Sequence, residues 1–144
     1  MRLREKKNEV LASLISITDG QERFAWLIAR GKRQAALDPS LKTEAHRVEG
    51  CLSKLWFAAE YRDSRCYFHT DADSMIVKSI AGLLCEFYSG SYPHEILKLD
   101  PSFLAEVGIH QHLTSNRRNS LSKVWGKIHT FASECLERHE CAMS

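Results

Sequence analysis

The stretch EAHRVEGCLSKLWFAAEYR, residues 44–62, decides how the rest of the chain is read. Gly50 and Cys51 stand just ahead of an apolar run made of Leu55, Trp56, Phe57, Ala58 and Ala59. A glycine before the cysteine gives the backbone a position that turns with positive φ, so the thiol of Cys51 is placed at a loop tip. Beyond it, Ser53, Leu55, Phe57, Ala59 and Tyr61 alternate with Lys54, Trp56, Ala58, Glu60 and Arg62. That is the period of a strand with one mostly apolar and one mixed face, and it anchors the loop. Residues 46–49 predict a shorter strand, Asp63-Ser64 a turn, and residues 66–69 with Tyr67 and Phe68 a third run. The economical arrangement is a small antiparallel three-stranded meander, one face of which helices cover.

Working outward, Leu3, Val10, Leu11, Leu14 and Ile15 recur at helical spacing over residues 3–17, and Asp19-Gly20 ends the pattern. Asp19 and Glu22 have capping-box spacing, which predicts a second helix over 20–30 that buries Phe24, Leu27 and Ile28 and stops at Gly31. Residues 32–43 lose periodicity around Asp38-Pro39-Ser40 and read as a long surface connection, the one candidate mobile segment. After the sheet, Asp71 or Asp73 is placed to cap a central helix with the face Ile76, Ile80, Leu83, Leu84 and Phe87, ending near Gly90. Pro93 and Pro101 suit first-turn positions of short helices before Gly108, and Thr114 opens a last long helix carrying Leu121, Val124, Trp125, Ile128, Ala132 and Cys135.

A chain of 144 residues fits one domain, spanning 1–144 with a core over about 5–138 and a short C-terminal tail. Its 44% hydrophobic and 26% charged residues suit a globular chain, and no apolar run approaches the length of a membrane span. A net charge of +2 with interleaved acids and bases offers no surface for nucleic acid. The five cysteines are odd in number and lack a Cys-x-x-Cys pair, which points to a reducing compartment, read as cytosolic. A short chain without a transit peptide fits a bacterial cytoplasm, with a processed organellar form as the alternative.

Cys51 reads either as a nucleophile, with His46, Arg47 and Lys54 near enough in sequence to favour its thiolate, or as a small buried residue. Spacing leaves both open. Cys66 and Cys85 fall within apolar patterns and read as core. Cys135, His139 and Cys141 share a helical end without an obvious fourth ligand, so no metal site is expected. His110 and His112 flank Gln111 in a polar connection, where solvation explains them better than acid-base work. Asp71 and Asp73 are accounted for by capping. Arg117 and Arg118 stand at a helix start, where the helix dipole disfavours cations, a mild pointer to an outside partner.

Three motifs give the chain a likeness to a known family: residues 46–56 (HRVEGCLSKLW), 71–78 (DADSMIVK) and 111–117 (QHLTSNR). Over nearly its whole length it resembles the SufE family of sulfur-acceptor proteins, which serve cysteine desulfurases in iron-sulfur cluster assembly. The resemblance implies a two-layer α+β fold, in general like that of the U-type cluster-assembly proteins. It makes Cys51 the acceptor of a sulfane sulfur from the desulfurase persulfide, and His46, Gly50, Ser53, Lys54, Asp73 and Arg117 the loop and partner surface. The resemblance further implies that pyridoxal phosphate belongs to the partner desulfurase, with no cofactor expected on the chain itself. The expected role is that of an accessory carrier, a monomer or homodimer, that activates the desulfurase and hands sulfur to a cluster scaffold or another acceptor. Asn119-Ser120 departs from the family's usual glycine before the leucine, and the tail 135–144 lies outside the pattern. The expected loop has an inward position beside apolar residues and an outward one for transfer, with Gly50 as hinge. Three alternatives remain, a U-type scaffold needing several converging cysteines, a thiol hydrolase pairing Cys51 with His110 or His112, and a non-catalytic interaction module in which Cys51 is incidental.

Overall fold

The computed structural model describes residues 2–33, 37–51, 54–106 and 108–143. Within them, six helices and one hairpin follow in the order α1 (Leu3–Ile15), α2 (Gly20–Gly31), β1 (Leu55–Arg62), β2 (Arg65–Ala72), α3 (Met75–Tyr88), α4 (Pro93–Lys98), α5 (Phe103–Glu106) and α6 (Ser115–Met143). Single 3-10 turns at Pro39–Leu41, Glu44–His46 and Ile109–His112 complete it. The fold is α+β, with helices packed against one face of the sheet.

Among the described residues the sheet has two strands, not three. β1 and β2 pair antiparallel from Leu55↔Ala72 to Arg62↔Arg65. Their turn places Asp63 at φ 54° and Ser64 at φ 67°, the left-handed pair that matches the twist of a two-residue hairpin. The strand expected over 46–49 shrinks to one bridge, Arg47↔Trp56. Two local causes cut it short. Glu44–His46 coils as a 3-10 turn, with Arg47 N–H donating to Glu44 O at 3.2 Å, and Gly50 at φ +84° turns the chain away after Val48. Among the described residues β1 begins at Leu55, and the expected start at Ser53 lies outside the described residues.

The sheet's covered face carries Leu55 and Phe57 from β1 and Cys66 and Phe68 from β2, all buried. Phe57 stacks on Phe68 at 5.9 Å, and Phe68 meets Phe131 of α6 edge-on at 5.9 Å. α3 is the central helix, burying Val77, Ile80, Ala81, Leu83, Leu84, Cys85, Phe87 and Tyr88 between β2, α2 and α6. Tyr88 is fully buried, and its hydroxyl donates to Leu99 O at 2.7 Å while its ring lies 5.0 Å from that of Trp125 on α6. α6 faces this core with Leu121, Val124, Ile128, Ala132 and Cys135, the helical stripe read from the sequence.

Neither aspartate caps α3. Ser74 does so, its hydroxyl accepting from Val77 N–H at 3.4 Å, while Asp71 belongs to β2 and is 3% exposed. Its carboxylate faces Lys42 Nζ at 3.0 Å and Lys78 Nζ at 3.5 Å and accepts the Leu37 N–H at 3.1 Å. The connection expected to be mobile is therefore tied to the sheet at both Leu37 and Lys42, and Lys42 lies over the Trp56 ring at 5.6 Å.

Candidate functional site

The site grows from the neck of the loop that carries Cys51. Val48 N–H donates to Leu55 O at 2.8 Å, closing the neck, and Val48 is buried beneath it. On the outgoing arm Asp73 N–H donates to Lys54 O at 3.0 Å, which ties the loop to the entry of α3. Between these anchors the chain turns at Gly50, whose φ of +84° lies in the region that costs any residue with a Cβ. Cys51 follows at once, half-buried and packed against the edge of the hydrophobic core.

The second wall is the start of α6. Asn119 Nδ2 donates to Gly50 O at 2.9 Å, a contact between residues far apart in the chain. One turn further, Lys123 lies across the same glycine: a Cβ built on Gly50 would stand 3.2 Å from Lys123 Cε and 3.4 Å from its Nζ. Asn119 and Ser120, the pair that departs from the pattern of the resemblance, both lie inside α6, and Asn119 grips the cysteine loop. Sequence reasoning missed Asn119 and Lys123 as parts of the site. Their spacing of four put them on one helix face, but nothing local says which helix face meets residue 50.

The other described thiols are shut away. Cys66 is fully buried, and burial, with the Cys135 thiol beside it, pushes its pKa up to about 12. Burial raises Cys85 and Cys135 as well, and these two are 1% and 3% exposed. Thiols so placed are poor nucleophiles, because the thiolate is the reactive form. Among the cysteines whose side chains are described, Cys51 is the one with access to solvent. The side chains of His139 and Cys141 lie outside the described residues, and Cys135 packs in the core. No cluster of three metal-ligating side chains occurs among the described residues.

The profile of the SufE family, described as "Fe-S metabolism associated domain", matches residues 8–132. The chain belongs to the SufE family. SufE-like protein 1 of Arabidopsis thaliana, chloroplastic/mitochondrial, is 32% identical over 117 residues, 81% of this chain but 32% of that protein's length. An uncharacterized SufE-like protein of Synechocystis is 30% identical over 115 residues, covering 80% of this chain and 72% of that one. In fold, the chain is similar to the solution structure of a hypothetical protein from Thermus thermophilus, with a TM-score of 0.75 at 21% identity, covering 92% of this chain and 96% of that one.

The residues of the SufE resemblance fall in several places. Gly50 and Cys51 form the tip, and Lys54 and Asp73 are joined through their backbones. Ser53 lies outside the described residues. His46 sits on the approach, its Nδ1 3.2 Å from Thr43 Oγ1, and Arg47 beside it pairs with Glu44 at 3.5 Å. Arg117 is half-buried in the first turn of α6, its N–H donating to Thr114 Oγ1 at 3.3 Å. Two residues before Asn119, it projects from roughly the opposite side of the helix, so Asn119 and Lys123 make the recorded α6 contacts with Gly50. Arg118 is engaged within the chain, donating through Nη1 to Leu113 O at 2.8 Å. The ring of His112 stacks on Phe24 at 5.7 Å at the start of α2. The side chain of His110 is outside the described residues.

Proposed function

We propose that Cys51 accepts a sulfane sulfur from the persulfide of a cysteine desulfurase and passes it on for iron-sulfur cluster assembly. The observation that carries this reading is a half-exposed thiol directly after a positive-φ glycine, in a family associated with Fe-S metabolism, while the other described thiols are buried. The step is an exchange at sulfur. The Cys51 thiolate attacks the outer sulfur of the donor persulfide, a new S–S bond forms, and the old one breaks with the donor cysteine leaving as thiolate. One sulfur changes carrier, and no external oxidant or reductant is consumed.

This chemistry asks little acid-base machinery of the chain. It requires access, a fraction of thiolate, and a surface that aligns the two sulfurs. Half-burial of Cys51 against the core suits the waiting persulfide, which reductants destroy, and Gly50 supplies the backbone freedom for an outward swing. In this reading pyridoxal phosphate is the desulfurase's cofactor, the chain is an accessory carrier in a reducing bacterial cytoplasm, and the recipient is a cluster scaffold or another sulfur acceptor.

The test is stimulation of a desulfurase. Turnover of cysteine to alanine, measured with reductant limiting, rises when the wild-type chain is added, and Cys51→Ser removes the rise while leaving the fold intact by circular dichroism. Stimulation that survives Cys51→Ser contradicts the proposal.

A further inference from the structure

We propose that Lys123 is a positioning residue for Cys51, its ammonium holding the sulfur anion at the loop tip as a thiolate before transfer and as a persulfide after it. The persulfide half of this assignment rests on the acceptor reading above. The thiolate half rests on the place of Lys123 beside Gly50, the residue before Cys51.

α6 presents two side chains one turn apart to the same glycine. Asn119 binds the Gly50 carbonyl at 2.9 Å and so fixes the loop against the helix. Lys123 then crosses the side of Gly50 on which a Cβ would lie, close enough that this Cβ would crowd both Cε at 3.2 Å and Nζ at 3.4 Å. The absence of a side chain at residue 50 is thus what admits the lysine's charged end, one residue before the sulfur. Gly50 serves twice, for its positive φ and for the space that it leaves.

The charges around the tip favour this assignment. On the approach, Arg47 is paired with Glu44 at 3.5 Å, and His46 Nδ1 is tied to Thr43 Oγ1 at 3.2 Å. Glu49 and Lys54 are exposed on the two arms of the loop. From α6, Lys123 brings a cation that has no ion-pair partner among the described residues. An ammonium held beside a loop with no carboxylate paired to it lowers the free energy of an anion formed there. The terminal sulfur of a persulfide is a stronger acid than a thiol, so the product of the exchange is an anion at neutral pH. After the proton of Cys51–S–SH goes to solvent, Lys123 pairs with Cys51–S–S⁻ and keeps the loaded loop against α6.

The test needs no desulfurase in its first arm. The rate of alkylation of Cys51 by iodoacetamide, read by mass at the Cys51 peptide, is followed against pH for the wild type, Lys123→Met and Lys123→Arg. Lys123 is exposed, so both variants fold. The expected result is a midpoint raised by roughly half a pH unit or more in Lys123→Met and restored in Lys123→Arg. A midpoint unchanged in Lys123→Met overturns the assignment, as does one that Lys123→Arg fails to restore. In the second arm the same proteins are loaded by a desulfurase. A shifted midpoint with no sulfur on Cys51 keeps the role of Lys123 toward the thiolate and removes the acceptor reading. Normal loading with an unshifted midpoint does the reverse.

Discussion

Asp71 shows how a single side chain decides what a loop can do. Burial by itself raises its carboxyl, but the Lys42 side chain, the Leu37 and Ala72 N–H groups and the Lys78 charge outweigh that and hold it below the usual carboxylate range. Because the native state favours the ionised form, its stabilisation is present in full above the unfolded carboxylate value of about 3.9 and is lost as pH falls through the lower native value. Replacement by asparagine leaves the surrounding donors short of an acceptor. Urea unfolding of Asp71→Asn at pH 7 is expected to show a loss of roughly 1–3 kcal/mol, with the gap to wild type closing below about pH 4. Equal stability at pH 7 would show that Lys42 and Lys78 do nothing there. None of this was legible in the sequence, where Asp71 two residues before Asp73 looks like a cap. A strand residue facing a lysine 29 positions upstream has no local signature, whereas the cap itself, Ser74, stands next to the expected ones.

Among the elements, helices were legible because their apolar spacing is a local property. The faces of α3 and α6 bury the residues that the 3.6-residue period selects, except Ile76 and Trp125, which are half-buried. The hairpin was legible for the same reason, since its alternation and its Asp63-Ser64 turn are both short-range. The third strand was not, because pairing depends on where the chain goes next, and here a 3-10 turn and Gly50 take it away from the sheet on both sides of Arg47. Gly31 makes the same point about helix packing. Its place after the apolar pattern marks the end of α2, and α2 does end there, but its role is close approach: a Cβ at Gly31 would stand 2.1 Å from Ser79 O of α3. Backbone cannot give way cheaply. Gly31→Ala is therefore expected to cost about 1–3 kcal/mol, read as a lowered midpoint in thermal unfolding, with Cys51 alkylation unaffected. An unchanged midpoint would mean that α2 and α3 slide past each other freely.

At the scale of the whole molecule, the site is a meeting of a loop from the sheet side with the start of the last helix. Cys51 and Gly50 were legible as a turn carrying a thiol, and the SufE likeness supplied their chemistry. Asn119 and Lys123 were not, since their place beside Gly50 follows only when α6 is packed across the fold. No helix among the described residues is long and apolar enough to cross a membrane. A cavity of about 310 Å³ between α1, α3 and α5, lined by Val10, Leu83, Phe87 and Phe103 among others, shares no lining residue with the cysteine loop. In the proposed function the chemistry belongs to a half-buried loop tip that meets a partner, and burial of Cys66, Cys85 and Cys135 is consistent with their having no part in it. The most direct measurement incubates the chain with a cysteine desulfurase, pyridoxal phosphate and cysteine, then maps sulfur adducts by peptide mass without reductant. One added sulfur on the Cys51 peptide, absent in Cys51→Ser, is the result expected, whereas an unmodified Cys51 or sulfur carried mainly on another cysteine would contradict the account.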